Sequence, residues 1–140
     1  MKIQKIVFTI LRFVMSFIFL WTFFDKVFGL GFATTTAKAW INGGSPTSGF
    51  LGNAVRGPFA DFFHGLAGVA VVDWLFMAGL LFVGLTLLLN KYMKLGVLAG
   101  SVMLFLMYIA LLLPENNPVI DEHIVYILVL ILLGTRENGI

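Results

Sequence analysis

In 140 residues with a formal net charge of +2, 60% of the side chains are hydrophobic and 11% charged, against roughly 45–50% and about 25% in soluble globular proteins. One domain fits this length, and most of its surface is suited to lipid rather than water. The nine Lys and Arg are scattered singly, which excludes a nucleic-acid footprint, and the absence of Cys excludes disulfides, thiol relays and thiolate ligands.

Lys2 and Lys5 precede an apolar run over residues 6–30, interrupted by Arg12 and by Asp25-Lys26. It is too long and too broken for a signal peptide, so it is read as the first membrane span. At about 100° per residue, Arg12, Ser16, Phe19, Phe23 and Lys26 form one stripe that should face other helices, while Asp25 points elsewhere. The alternative is that Arg12 and Lys26 sit near the two ends of the span and snorkel to the headgroups.

Residues 31–68 read as a long outer loop, of which 31–57 change to Gly, Thr, Ser, Asn and Pro without periodicity. Pro58 is expected to open a short interfacial helix running to Gly68, with Asp61 and His64 as neighbours on it. That segment is either an amphipathic helix lying on the membrane or a contributor to a site through Asp61 and His64.

The second span covers 69–89, with Asp73 in its first turn beside Trp74; the helix dipole alone favours an acid there. The third span, 95–113, carries Gly96-x-x-x-Gly100, a spacing that lets helix backbones approach closely. Pro114 ends it. The fourth span, 118–133, begins at Pro118 with Asn117 as its expected N-cap. It gives about 24 Å of helix, short of the ~30 Å hydrocarbon core, so its start is expected to be covered by the outer loop.

The expected fold is therefore an all-α integral membrane protein, a four-transmembrane-helix bundle with a long outer loop. Lys2, Lys5, Lys91, Lys94 and Arg136 place both termini inside, and the protein in the cytoplasmic (plasma) membrane as a multi-pass protein. This topology gathers six of the seven acidic residues and both His at the outer face. An ionisable group at membrane depth is costly and marks a candidate site. On the fourth helix Glu122, His123 and Tyr126 share a face, and Asp121 is expected to point nearly the opposite way.

Leu11-Arg12 with Asp25-Lys26, the loop Trp40-Ile41-Asn42-Gly43-Gly44-Ser45-Pro46-Thr47 with Gly57-Pro58-Phe59-Ala60, Val72-Asp73-Trp74-Leu75-Phe76-Met77 with Gly79-Leu80, and Asn117-Pro118 leading to Asp121 and His123 together resemble the DoxX/DoxD family of small four-span membrane proteins. The likeness runs along nearly the whole chain and is greatest to the DoxD-like branch, named for a subunit of an archaeal thiosulfate:quinone oxidoreductase. It implies a membrane subunit linked to quinone-coupled oxidation, with a second small protein subunit as partner. It brings no catalytic residue with it.

The site residues are read from charge placement. Quinone chemistry moves protons with electrons, so a titratable group is needed, which His123 with Glu122 or Asp73 would supply. Trp21, Trp74 and Tyr126 are the expected apolar slot for the ring. Thiosulfate would need cations, for which Lys26, Arg56 and Lys38 are the outer candidates. Asp25 and His64 complete the candidate substrate-binding set, and the sequence leaves open whether Asp25 and Lys26 pair with each other or reach to Asp73 and His123. Quinone is a co-substrate in this reading. No metal is expected, nor a haem or flavin in this chain alone. The competing class is a non-catalytic membrane module that docks or stabilises a partner redox enzyme, as a homo-oligomer or with another chain. A proton-linked carrier using Asp25, Asp73 and His123 is disfavoured, because the inner half holds only Arg12.

Overall fold

The first helix, α1 (Lys2–Phe28), contains neither Gly nor Pro, and it ends where Gly29 adopts the left-handed conformation at φ 64°. There the Gly29 N–H donates to the Asp25 carbonyl at 2.7 Å, a C-terminal stop that glycine makes without a Cβ penalty. The computed structural model describes residues 1–135. Arg136, counted above among the inner basic residues, lies outside them.

After a loop come α2 (Ala60–His64), α3 (Ala70–Leu89), α4 (Met93–Ala110) and α5 (Glu122–Thr135). No strand occurs among the described residues. Consecutive long helices pack against one another, α1 on α3, α3 on α4 and α4 on α5, with a small α1–α5 contact. The arrangement is all-helical, and three helices, α1, α3 and α4, are long and apolar enough to cross a membrane. Their outward residues, among them Ile6, Ile10, Phe13, Phe17, Leu75 and Leu98, are exposed, a continuous apolar exterior that suits lipid.

The stripe expected on α1 is the packed one. Met15, Ser16 and Phe19 are buried, Ser16 Oγ donates to the Gly84 carbonyl at 2.8 Å, and Arg12 donates to the carbonyls of Leu87 and Leu88. Those carbonyls lie in the last turn of α3, where no intrahelical donor reaches them. Arg12 thus caps α3, and α1 and α3 run antiparallel, with Arg12 against Leu87 and Ser16 against Gly84.

The two glycines of the third expected span permit close approach within the chain. A Cβ on Gly96 would lie 2.0 Å from Thr86 Oγ1 on α3, and one on Gly100 would lie 2.8 Å from Leu130 Cδ1 on α5 and 3.1 Å from Val83 Cγ1 on α3. α4 is therefore the shared wall of the bundle. Its buried core runs through Met15, Met77, Val83, Leu87, Leu104 and Leu130.

Several expected boundaries change. The third helix of the expected set ends at Ala110 rather than residue 113. The fourth begins at Glu122 rather than Pro118, with 14 residues of it among the described ones, about 21 Å of helix. The interfacial helix has 5 residues and starts at Ala60. The loop between α1 and α3 is not featureless: single turns form at Thr36–Lys38, Trp40–Asn42 and Phe50–Ala54. Leu51, Val55 and Phe63 close a second small core on Ala110 of α4. All six described acidic residues, Asp25, Asp61, Asp73, Glu115, Asp121 and Glu122, gather at the end of the bundle that carries this loop.

Candidate functional site

Two buried carboxylates build the loop end. Asp25, 1% exposed, accepts the backbone N–H groups of Leu30 and Phe32 on Oδ1 and of Ala33 and Thr34 on Oδ2, at 2.8 to 3.4 Å. Asp73 in the first turn of α3 accepts both Ser45 Oγ, at 2.8 and 2.9 Å, and the hydroxyl and N–H of Thr47. Each acid ties a length of loop to a helix, and neither makes an ion pair or hydrogen bond with Lys26 or His123. The pairings left open in the sequence are resolved against both alternatives. Asp73 is accordingly not the partner of His123.

That partner is Asp121. Its Oδ1 accepts the His123 N–H at 2.9 Å, and its Oδ2 lies 2.9 Å from His123 Nδ1. The first contact is an N-cap: the carboxylate satisfies an amide that the first turn of α5 leaves unpaired. Asn117, the expected cap, instead accepts the N–H groups of Val119 and Ile120 in a turn before the helix. The expectation that Asp121 opposes His123 fails for this reason. Helical spacing was applied to a residue just outside the helix, where the backbone is free to fold the side chain over the first turn. Both side chains are nearly sealed, at 8% and 13% exposure.

Asp121 and Glu122 line an open cavity of about 670 Å³ with Arg56, Glu115, Asn117 and Val125. Arg56 Nη1 pairs with Glu115 Oε1 at 2.6 Å, half in solvent, a contact that contributes little to stability. Glu122 is exposed and has no partner among the described residues. Comparison with protein-family models, curated proteins and solved structures gives no match.

The chemistry open to these residues follows from their contacts. A carboxylate accepting from Nδ1–H holds the imidazole in one tautomer, leaves the lone pair on Nε2, and stabilises the ring when it takes a proton. Ligand atoms of Asp121, Glu122 and His123 also lie within 4.8 Å of one another. A metal ion there would displace the Asp121–His123 hydrogen bond and sit at the positive end of the α5 dipole, so this donor set suits proton transfer better than cation binding.

The expected aromatic slot is not assembled. Trp21 stacks with Phe17 and meets Phe32 edge-on, Trp74 meets Trp40 at 4.7 Å, and Tyr126 packs on the main core. His64 is exposed at the end of α2 beside exposed Asp61, and neither side chain has a partner among the described residues. Instead, a second cavity of about 510 Å³, almost wholly apolar, opens between α1, α3, α4 and the loop, with Phe50, Phe63, Phe76 and Met107 in its wall and Lys26 at its edge. Its lining residues recur at helical spacing within each helix, Thr22 and Lys26 on α1, Val72 and Phe76 on α3, Met103 and Met107 on α4, but nothing in one sequence says that these faces meet.

Proposed function

We propose that the chain is a four-span membrane subunit of the DoxX/DoxD type, termini inside, that exchanges protons with a quinone at the outer mouth of α5. The observation that carries this reading is the Asp121–His123 pair set behind the mixed cavity. Reduction of a quinone takes two electrons and two protons. His123 would hand a proton to or from a carbonyl oxygen, and Asp121 would orient the ring and stabilise its charged form. Val125, Ile120 and Leu111 offer apolar wall for the quinone head. Electrons would come from a second, smaller subunit, since the chain has no Cys to hold an iron–sulfur cluster. Thiosulfate would be handled there as well, because the one cation of this cavity, Arg56, is already paired with Glu115.

The test is photolabelling of the detergent-solubilised protein with an azido-quinone, with the modified peptides mapped. Adducts should fall between residues 111 and 125 and drop at least tenfold in His123→Ala. Adducts confined to other helices would remove the site. Topology has its own check, made simple by the Cys-free sequence. Asn53→Cys and Asn116→Cys should react in whole cells with an impermeant maleimide, and Lys91→Cys should not; the reverse pattern would invert the orientation.

A second reading rests on a different observation. Asp25 and Asp73 both hold the loop rigid while Phe32, Ile41, Phe59 and Phe62 remain exposed on it, as a surface for a partner redox enzyme would be. Retention of a partner from native membranes, with no quinone adduct, would favour that module over the quinone site.

A further inference from the structure

Lys26 is in the last turn of α1, at the edge of the apolar cavity of about 510 Å³. Its ammonium makes no hydrogen bond and no ion pair among the described residues; Nζ lies 5.8 Å from the centroid of the Phe76 ring. The adjacent carboxylate of Asp25 is already held by four backbone amides. The other polar groups in the wall are satisfied too: Thr22 Oγ1 donates to the Ile18 carbonyl at 2.8 Å, and Thr47 Oγ1 donates to Asp73. The cavity thus presents, in the wall of an apolar chamber, one ammonium whose donors are not taken up by any hydrogen bond or ion pair. A volume of this size is in the usual range of ligand sites, ~300–1,000 Å³. Leu75 and Leu106, which also line it, are exposed on the apolar exterior of the bundle, at 69% and 48%, so the chamber is reached from the side that faces lipid.

We propose that this chamber binds a single-chain amphiphile with an anionic head, a long-chain carboxylate, with the head on Lys26 and the chain between α3, α4 and the loop. The inference is independent of the quinone site, which lies at the start of α5. A free carboxylate and the phosphate of a lysolipid share the anionic chemistry, and the experiment separates them.

Equilibrium binding is measured on the full chain in detergent with oleate, methyl oleate and oleoyl lysophosphatidate. Oleate should saturate at one per chain. Methyl oleate, equal in length but uncharged, should bind about tenfold or more weakly, the scale of one charge-assisted hydrogen bond. Lys26→Met should reduce oleate affinity to that of methyl oleate and leave methyl oleate unchanged, and Lys26→Arg should retain oleate. Equal binding of oleate and its ester, or wild-type affinity for oleate in Lys26→Met, would overturn the proposal. Lysophosphatidate displacing oleate at lower concentration would overturn the carboxylate assignment. Met107→Trp fills the chamber without touching the cation and should lower both oleate and methyl oleate at least tenfold; unchanged binding there places the ligand elsewhere and overturns the proposal independently of how well Lys26→Met folds.

Discussion

Asp25→Ala is expected to destabilise the protein by roughly 3–5 kcal/mol and to open residues 30–36 to protease. Four hydrogen bonds to a charged acceptor would each contribute about 1.5–3 kcal/mol. The full sum is not expected, because only the Thr34 N–H bond is fully buried; the amides of Leu30, Phe32 and Ala33 are part-exposed and regain water once the carboxylate is gone. Asp25→Asn is the sharper variant. It keeps one carbonyl oxygen but turns an amide donor toward two N–H groups, so it should recover about half the loss at most. Asp73→Ala should cost less than Asp25→Ala, since two of its donors are hydroxyls that can rotate to other acceptors. Thermal unfolding in detergent with limited proteolysis reads all three. Asp25→Ala within about 1 kcal/mol of wild type would show that the loop does not depend on this carboxylate.

The same residues show how far the sequence could be read. An acid at membrane depth marks a candidate site because its desolvation must be offset by something. For Asp25 and Asp73 that something is the chain's own loop amides and hydroxyls, and no substrate is needed to account for either. A loop of Gly, Ser and Thr is rich in exactly such donors, but which acid takes which donor depends on turns of three residues, Thr36–Lys38 and Trp40–Asn42, whose hydrogen bonds leave no periodic trace in composition. The packed stripe of α1 was legible because Arg12, Ser16 and Phe19 recur at helical spacing without a Gly or Pro between them.

The start of α5 was legible only in part. Asn117 and Asp121 are equally good N-caps by residue type, and Pro118 suits a first helical position. Tertiary structure decided between them: Tyr108 on α4 donates its hydroxyl to the Val119 carbonyl, which holds the bend at residues 118–119 against α4. With the helix starting at Glu122, Asp121 lies beside His123 rather than opposite it. The apolar chamber was invisible for another reason. Its wall is drawn from five separate segments, and one sequence gives no means of knowing that Lys26, Phe50, Phe63 and Met107 converge.

Gly96→Val is the second large effect expected, at about 3 kcal/mol, the upper part of the usual range for overpacking. The reason is which atoms the new side chain meets. At Gly96 a Cβ would lie 2.0 Å from Thr86 Oγ1 and 2.8 Å from Thr86 Cβ. That hydroxyl donates to the Val83 carbonyl at 2.8 Å, and Thr86 is buried and β-branched, so its side chain has little freedom to move aside. α4 would have to draw away from α3, which also loosens Gly100 between Val83 and Leu130. Gly79→Ala is the control. Its Cβ would come as close, 2.5 Å from Met103 Sδ, but a thioether at the end of a flexible chain can re-rotamer, and the cost should stay under ~1 kcal/mol. Placing Thr86→Ala beside Gly96→Ala should restore part of the loss through a favourable coupling, because it removes the closest atom, Oγ1 at 2.0 Å, together with Cγ2 at 3.2 Å, and leaves Cβ at 2.8 Å. Tm values of Gly96→Val, Gly79→Ala, Gly96→Ala, Thr86→Ala and the Gly96→Ala/Thr86→Ala double in one detergent decide the matter. If Gly79→Ala proves as damaging as Gly96→Val, the α3–α4 contact is set by backbone distance along its whole length and not by the fixed hydroxyl at Thr86.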